Sequence, residues 1–156
     1  MIIVSDIDAT LADIGERLKR AGKQPAVKHK RKFQKWLDKL QNSKILLDDS
    51  AIPCMRELLV CLTKRCKIIY LTGRSCIYRR VTKKWLKLHG FPPGPLFMRP
   101  KNSYTTAREF KERLMLKIAK QAGGEKILCI DDDGDGTCAI AYKKHGWTHL
   151  KVMENI

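Results

Sequence analysis

Asp6 and Asp8 stand two residues apart, directly behind the apolar run Ile2 to Val4, in the stretch "IIVSDIDATLAD". Like charges that close repel, and keeping both ionised is costly unless a counter-charge sits against them. Two other stretches end an apolar run in the same polar way. One is "IIYLTGRS", carrying Thr72, Gly73 and Arg74; the other is "ILCIDDDGDG", carrying Asp131 and Asp132. If each run is a strand of one parallel sheet, the polar ends share an edge, where open α/β sheets build their sites. Carboxylates from the first and third runs then meet. A cluster of acids at one edge calls for a cation, and a magnesium ion there neutralises the acids and holds a phosphate against them.

The elements that must position these residues alternate along the chain. "MIIVS" reads as a buried strand and "DIGERLKRAG" as a short helix closed by Gly22. Phe33, Trp36, Leu37 and Leu40 recur at i, i+3, i+4 and i+7 in "KHKRKFQKWLDKLQ", the pattern of an amphipathic helix with a very basic outer face. "PCMRELLVCLTK" is a helix with Pro53 in its first turn, and "KIIYLT" a strand. "CIYRRVTKKWLKLHG" is a helix ending at Gly90, and "FPPGPLFMRP" a loop with a short strand near Leu96 to Met98. A helix in "TAREFKERLMLKIAKQAGG", a strand in "KILCIDD", a short helix in "TCAIAYKKHG" and a strand in "WTHLKVM" complete the chain. Strands alternating with helices predict an α/β fold: a three-layer, Rossmann-like, mainly parallel sheet with helices on both faces. The 156 residues suit one domain, 1–156, with a small basic helical insert at about 13–50 after the first strand. Lys23 to Lys30 is the predicted flexible segment.

With these residues in place, the chain resembles the haloacid dehalogenase superfamily of phosphohydrolases. "DIDAT" matches the first motif, DxDxT; "YLTGR" the second; "CIDD" the fourth. The order "LTGR", "VTKKWLKLHG", "LFMRPKNS" and then a helical lysine is similar to the 3′-phosphatase domain of phage-type polynucleotide kinase/phosphatase. The resemblance implies Asp6 as the nucleophile that forms an aspartyl-phosphate, and Asp8 as general acid and then base. It implies a Mg²⁺ ion held by Asp6, the backbone carbonyl of Asp8, Asp131 and, directly or through water, Asp132. Thr72 is implied as a hydrogen-bond donor to a phosphoryl oxygen. Arg74 is implied as a bidentate phosphate ligand, with Gly73 and Arg99 also on the substrate. Lys111 is implied as the third-motif lysine, neutralising charge between Asp6 and the phosphoryl group. Two departures stand out: Ala9 replaces a commoner Gly, and Ala107 stands where polynucleotide phosphatases tend to carry an acid. No GxxxxGK[ST] is present, so no P-loop kinase accompanies these motifs.

Plainer readings compete at several positions. DxDxT alone is a weak pattern, since acids at strand ends also form turns and caps. "DDDGDG" mimics a calcium loop, but Tyr142 stands where the bidentate Glu belongs and a strand precedes it, so Asp133 and Asp135 read as turn residues. Thr106 and Glu109 fit a capping box better than a catalytic acid. Lys101 and Lys117 compete with Lys111 and read as solvated. Trp36 and Trp85 read as core. His29, His89, His145 and His149 share no ligand spacing. The six cysteines lack CxxC pairs, and reduced, mostly buried thiols are expected.

A net charge of +16 demands an anionic partner. The charge is concentrated in Arg17 to Lys44 and in Arg74 to Lys120. An insert too short for a large lid leaves the site open to a phosphate at a polymer end, with basic helices holding the backbone. The leading expectation is therefore a Mg²⁺-dependent phosphatase acting on the terminal 3′-phosphate of a nucleic acid. A nucleotide or small-ester phosphatase, or a nucleic-acid-binding module on the same fold, are the alternatives. With no long apolar stretch, and Met1 leading almost straight into a strand, a cytoplasmic protein without signal peptide or membrane partner is expected.

Overall fold

A computed structural model describes residues 1–26, 28–103, 105–134 and 136–153. Val27, within the segment expected to be flexible, and Asp135, expected in a turn, lie outside the described residues. The five strands are β1 (Ile2–Ser5), β2 (Lys67–Ser75), β3 (Leu96–Arg99), β4 (Ile127–Asp131) and β5 (Thr148–Lys151). They form one sheet in the order β3-β2-β1-β4-β5. Every neighbouring pair is parallel. β1 is therefore central, which explains its uninterrupted apolar run: all four of its residues are buried.

Alternation along the strands sends side chains to two cores. Ile3, Ile68, Tyr70 and Ile130 pack on one face with Met55 and Leu59 of α4 (Pro53–Leu62) and Trp85 and Leu86 of α5 (Arg79–Leu88). Ile2, Val4, Leu71 and Cys129 pack on the other with Phe110, Met115 and Ile118 of α6 (Ala107–Ala122) and Cys138 and Tyr142 of α7 (Thr137–Lys144). The three-layer expectation holds. The capping box is formed: Thr106 Oγ1 accepts from Glu109 N, and Thr106 N donates to Glu109 Oε2. Gly123 closes α6 in the left-handed region, φ 58°, which a side chain would strain. Among the described residues no helix is long and apolar enough to cross a membrane.

Between β1 and α4 lie α1 (Gly15–Ala21), α2 (Lys30–Leu40) and α3 (Ser43–Asp48). The apolar positions of α2 form their own cluster, Phe33, Trp36 and Leu40, against Ala21 and Leu37. α3 was not expected from the sequence. Asn42 nucleates it by accepting from Lys44 N and Ile45 N, and it is too short to display a period. The cysteine expectation needs correction. Cys129 and Cys138 are buried, but Cys54 and Cys61 are exposed because they lie on the outer face of α4, away from Met55 and Leu59.

Candidate active site

Each candidate residue leaves the carboxyl end of a strand or the first turns of a helix beside it. β1 delivers Asp6 and Asp8, β4 delivers Asp131 and Asp132, β2 delivers Thr72 to Arg74, β3 delivers Arg99, and α6 delivers Lys111. β1 sits between β2 and β4, so its acids face both neighbouring strand ends.

Lys111, buried, links two strands: its Nζ donates to Asp6 Oδ2 at 2.9 Å and to Asp131 Oδ2 at 2.7 Å. Burial opposes its charge, but Asp6 and Asp131 outweigh that and raise its pKa well above the usual lysine value. Asp131 also accepts from the Tyr142 hydroxyl at 2.7 Å and, through Oδ1, from Asp133 N at 3.0 Å. Burial would raise it, yet Lys111 and these hydrogen bonds hold it below the ordinary carboxylate value. Asp6 is different. Its Oδ1 is buried and has no hydrogen-bond partner. Burial, offset by Lys111 and reinforced by Asp131, Asp8 and Asp132, raises its pKa to about 7. Asp132 is fixed by Thr10, whose Oγ1 accepts from Asp132 N at 2.9 Å, and burial with Asp131 alongside raises it to about 6.

Oxygens of Asp6, Asp131 and Asp132 lie within 4.8 Å of one another. An all-carboxylate donor set, with one buried oxygen bare and two acids pushed upward, fits a hard divalent cation. The side chain of Asp8 does not join this cluster. Its Oδ1 accepts from Arg74 Nε at 2.9 Å, from Arg74 Nη2 at 2.7 Å and from Arg17 Nη2 at 2.5 Å. Burial favours the neutral acid, but the two guanidinium groups prevail and hold Asp8 well below the usual carboxylate range.

Arg74, expected on the phosphate, is bonded to Asp8 here. It is fully buried, donates to Asp8 and to Asp49 Oδ2 at 3.2 Å, and lies over the Trp85 ring. Its Nε and Nη2 are held by these carboxylates, while Nη1 is buried with no hydrogen-bond partner, so the expected phosphate contact would have to use that remaining nitrogen. Thr72 is likewise fully buried, and its Oγ1 accepts from Arg74 N at 3.2 Å, ordering that turn. Neither residue is among the described lining of the cavity over the carboxylates. Arg99 is. Its Nε and Nη1 donate to the carbonyls of Gly73 and Thr105, it forms no ion pair among the described residues, and burial lowers its pKa against the opposing pull of the Asp6 carboxylate.

Sequence reading missed Arg17 and Asp49, and it took Thr10 only as the threonine of the first motif, not as the residue that holds Asp132 N. Arg17 reads as one more residue of a basic run, yet it is 2% exposed and donates to Asp49 Oδ1, Asp8 and the Leu40 carbonyl. Its position three residues after Ile14 and one before Leu18, on the apolar side of α1, was the available signal. Asp133 is a helix cap: its carboxylate accepts from Cys138 N and Ala139 N. Lys101 and Lys117 are exposed, as expected.

The cavity measures about 440 Å³. Its floor holds Asp6, Asp8, Lys111, Asp131 and Asp132; Gly73, Arg99 and Ala107 line it too. Phe33, Trp36, Leu37 and Leu40 of α2 line it with apolar groups, joined by Ile14, just before α1, and Leu18 of α1. Trp36 is thus both core and cavity lining, with Nε1 donating to the Gly22 carbonyl at 2.8 Å.

No family model matches the sequence, and no curated protein matches it. Solved structures do. A chain of the Pnkp1/Rnl/Hen1 complex is similar at 20% identity, with a TM-score of 0.72 over 97% of this chain and 45% of that one. The class C acid phosphatase from Bacillus anthracis with tungstate bound is similar at 18% identity, with a TM-score of 0.59 over 99% and 66%. Gene product AF1437 from Archaeoglobus fulgidus is similar at 10% identity, with a TM-score of 0.61 over 96% and 73%. The present chain spans less than half the length of the Pnkp1/Rnl/Hen1 chain it matches. Its parallel sheet and these likenesses show that it shares the α/β fold of solved structures that include a class C acid phosphatase.

Proposed function

We propose that this protein is a Mg²⁺-dependent phosphohydrolase that removes a terminal 3′-phosphate from a nucleic acid through an aspartyl-phosphate intermediate. The observation that carries the reading is Asp6 itself. One of its oxygens is held by Lys111, the other is buried and unpartnered, and the carboxylate sits at the floor of a cavity beside Asp131 and Asp132. Asp6, Asp131 and Asp132, with the backbone carbonyl of Asp8, are the groups that would hold Mg²⁺. When bound, the ion neutralises these acids and polarises a phosphoryl oxygen.

The chain's own groups do the rest. An oxygen of Asp6 attacks phosphorus as the bond from phosphorus to the nucleoside oxygen breaks. The leaving oxygen takes a proton from Asp8 and departs as a hydroxyl. Asp8, now ionised, takes a proton from water as that water attacks phosphorus. The bond from phosphorus to Asp6 breaks, restoring the carboxylate and releasing inorganic phosphate. Arg17 and Arg74 favour the ionised, base form of Asp8; the arriving phosphate adds like charge beside it and pushes toward the acid form. Lys111 fixes Asp6 and offsets charge on the phosphoryl group. Arg99, with no ion pair among the described residues, is the arginine placed to meet phosphate of the strand at the mouth of the site.

A polymer substrate is supported by two exposed basic faces. Arg31, Lys32, Lys35 and Lys39 line the outside of α2, and Arg79, Arg80, Lys83, Lys84 and Lys87 that of α5. The cavity volume alone also suits a free nucleotide, which keeps a nucleotide phosphatase as the second reading. The free thiols fit a reducing, cytoplasmic setting. The test is phosphate release from an aryl phosphate and from 3′-phosphate, 5′-phosphate and mononucleotide substrates, with and without Mg²⁺. Asp6→Asn should abolish turnover with an unchanged circular dichroism spectrum, and full activity in that variant refutes the mechanism.

A further inference from the structure

A second cavity of about 300 Å³ adjoins the first, and the two share Leu37, Gln41 and Arg99 as a common wall. Beyond that wall it is lined by Ile77 and Tyr78 of the turn after β2, and by Lys101, Asn102 and Ser103 after β3. We propose that this second cavity is the subsite for the nucleotide that precedes the phosphorylated terminal one in a single strand. The proposal rests on the phosphatase reading above and adds a footprint of two nucleotides to it.

Four observations carry it. First, the cavities are adjacent, with Leu37, Gln41 and Arg99 lining both, so a strand whose end reaches Asp6 meets the second cavity next. Second, Arg99 lines both cavities with its bonded nitrogens on backbone carbonyls and no ion pair among the described residues, which places a guanidinium where the phosphodiester between the two nucleotides would pass. Third, an aromatic and an aliphatic side chain line the far cavity. Tyr78 is half-buried, and Ile77 is 55% exposed although it is a large aliphatic residue. Aromatic side chains beside a cationic groove are how proteins hold single strands without reading sequence. Fourth, the rim is cationic and its loop preformed. Lys101 is exposed, Ser103 N donates to the Pro100 carbonyl, and Ser103 Oγ lies 3.0 Å from Thr105 Oγ1. Asp38 is the acid in this lining; its Oδ1 accepts from Gln34 Nε2 at 2.8 Å, which turns it toward its own helix.

The experiment compares kcat/KM for an aryl phosphate, a nucleoside 3′-phosphate and the 3′-phosphorylated di- and trinucleotides, in the deoxyribo and ribo series. In at least one series the step from mono- to dinucleotide should raise kcat/KM about tenfold or more, the effect of one stacked base, and the third nucleotide should add far less. Tyr78→Ala and Lys101→Ser should erase that step through KM while leaving the aryl phosphate and mononucleotide rates alone. Equal efficiency for mono- and dinucleotides with an active enzyme overturns the subsite and leaves the phosphatase reading standing. So does a loss spread equally over all substrates in both variants. Failure to hydrolyse any of the substrates overturns the phosphatase reading, and the subsite with it.

Discussion

Replacing Arg17 by Ala removes a guanidinium that joins the insert to the candidate acid–base residue. Arg17 is 2% exposed and makes three bonds: to Asp49 Oδ1 at 2.7 Å, to Asp8 Oδ1 at 2.5 Å and to the Leu40 carbonyl at 3.0 Å. Breaking a buried ion pair by deleting one partner costs about 3–5 kcal/mol. Arg74 still donates to Asp8 and to Asp49 after the change. Neither carboxylate is left bare, which puts the loss at the lower end, about 3 kcal/mol. At this chain length each kcal/mol moves Tm by about 2–4 °C, so Tm should fall by about 6–12 °C. The sign with pH follows from Asp8. Its folded pKa lies below its unfolded value, so the arginines stabilise the fold above about pH 4, and this contribution drains away as pH falls toward the folded pKa. The penalty of Arg17→Ala should therefore be full at pH 7 and shrink in acid. Turnover of an aryl phosphate should drop about 10²-fold, because a misplaced acid–base group forfeits that much. Arg17→Lys should recover only part of either loss, since one ammonium cannot span three acceptors. Differential scanning calorimetry and phosphate release check this. A Tm within about 2 °C of the parent, with an unchanged rate, refutes the account of the network.

Three further outcomes follow from the site and its frame. The folded pKa of Asp6, raised to about 7, and that of Asp132, raised to about 6, exceed their unfolded values, so chelated protein should lose stability as pH climbs from about 4 to 7. Mg²⁺ at 100 times its pH 8 Kd should stabilise the fold by about 2.7 kcal/mol at pH 8 and by less at pH 5, read as a smaller rise in Tm, and Asp132→Asn should blunt the rise; a pH-independent Mg²⁺ effect contradicts the cluster. Gly94→Ala should destabilise by about 1–3 kcal/mol in thermal unfolding, because the added Cβ would stand 2.4 Å from the Ile68 carbonyl oxygen where the loop enters β3. Oligonucleotide binding should weaken with log salt at a slope of roughly −0.7 per phosphate contact, and replacing exposed Arg31, Lys32 and Lys35 with Ser should flatten it without changing the aryl phosphate rate.

What the sequence alone determined was whatever depends on near neighbours along the chain. The alternation of apolar runs and amphipathic repeats marked the five strands and six of the seven helices, because each pattern completes itself within one element. The Thr106–Glu109 capping box was legible for the same reason. Asp6, Asp131 and Asp132 were legible as a cluster because parallel strands that end in acids must share an edge. Partners far apart in the chain were not. Asp8 meets Arg74 across 66 residues and Arg17 meets Asp49 across 32, and no local period records such a pairing. An arginine in a basic run looks the same whether it is solvated, like Arg20, or buried among acids, like Arg17. The roles of Arg74 and Arg99 were separated only by what surrounds each guanidinium. Two carboxylates bond the first and backbone carbonyls the second, and that difference arises from packing. The apolar side of α2 was visible as a stripe, but only the docking of that helix over the sheet edge decided that Phe33 and Trp36 also line the cavity above Asp6.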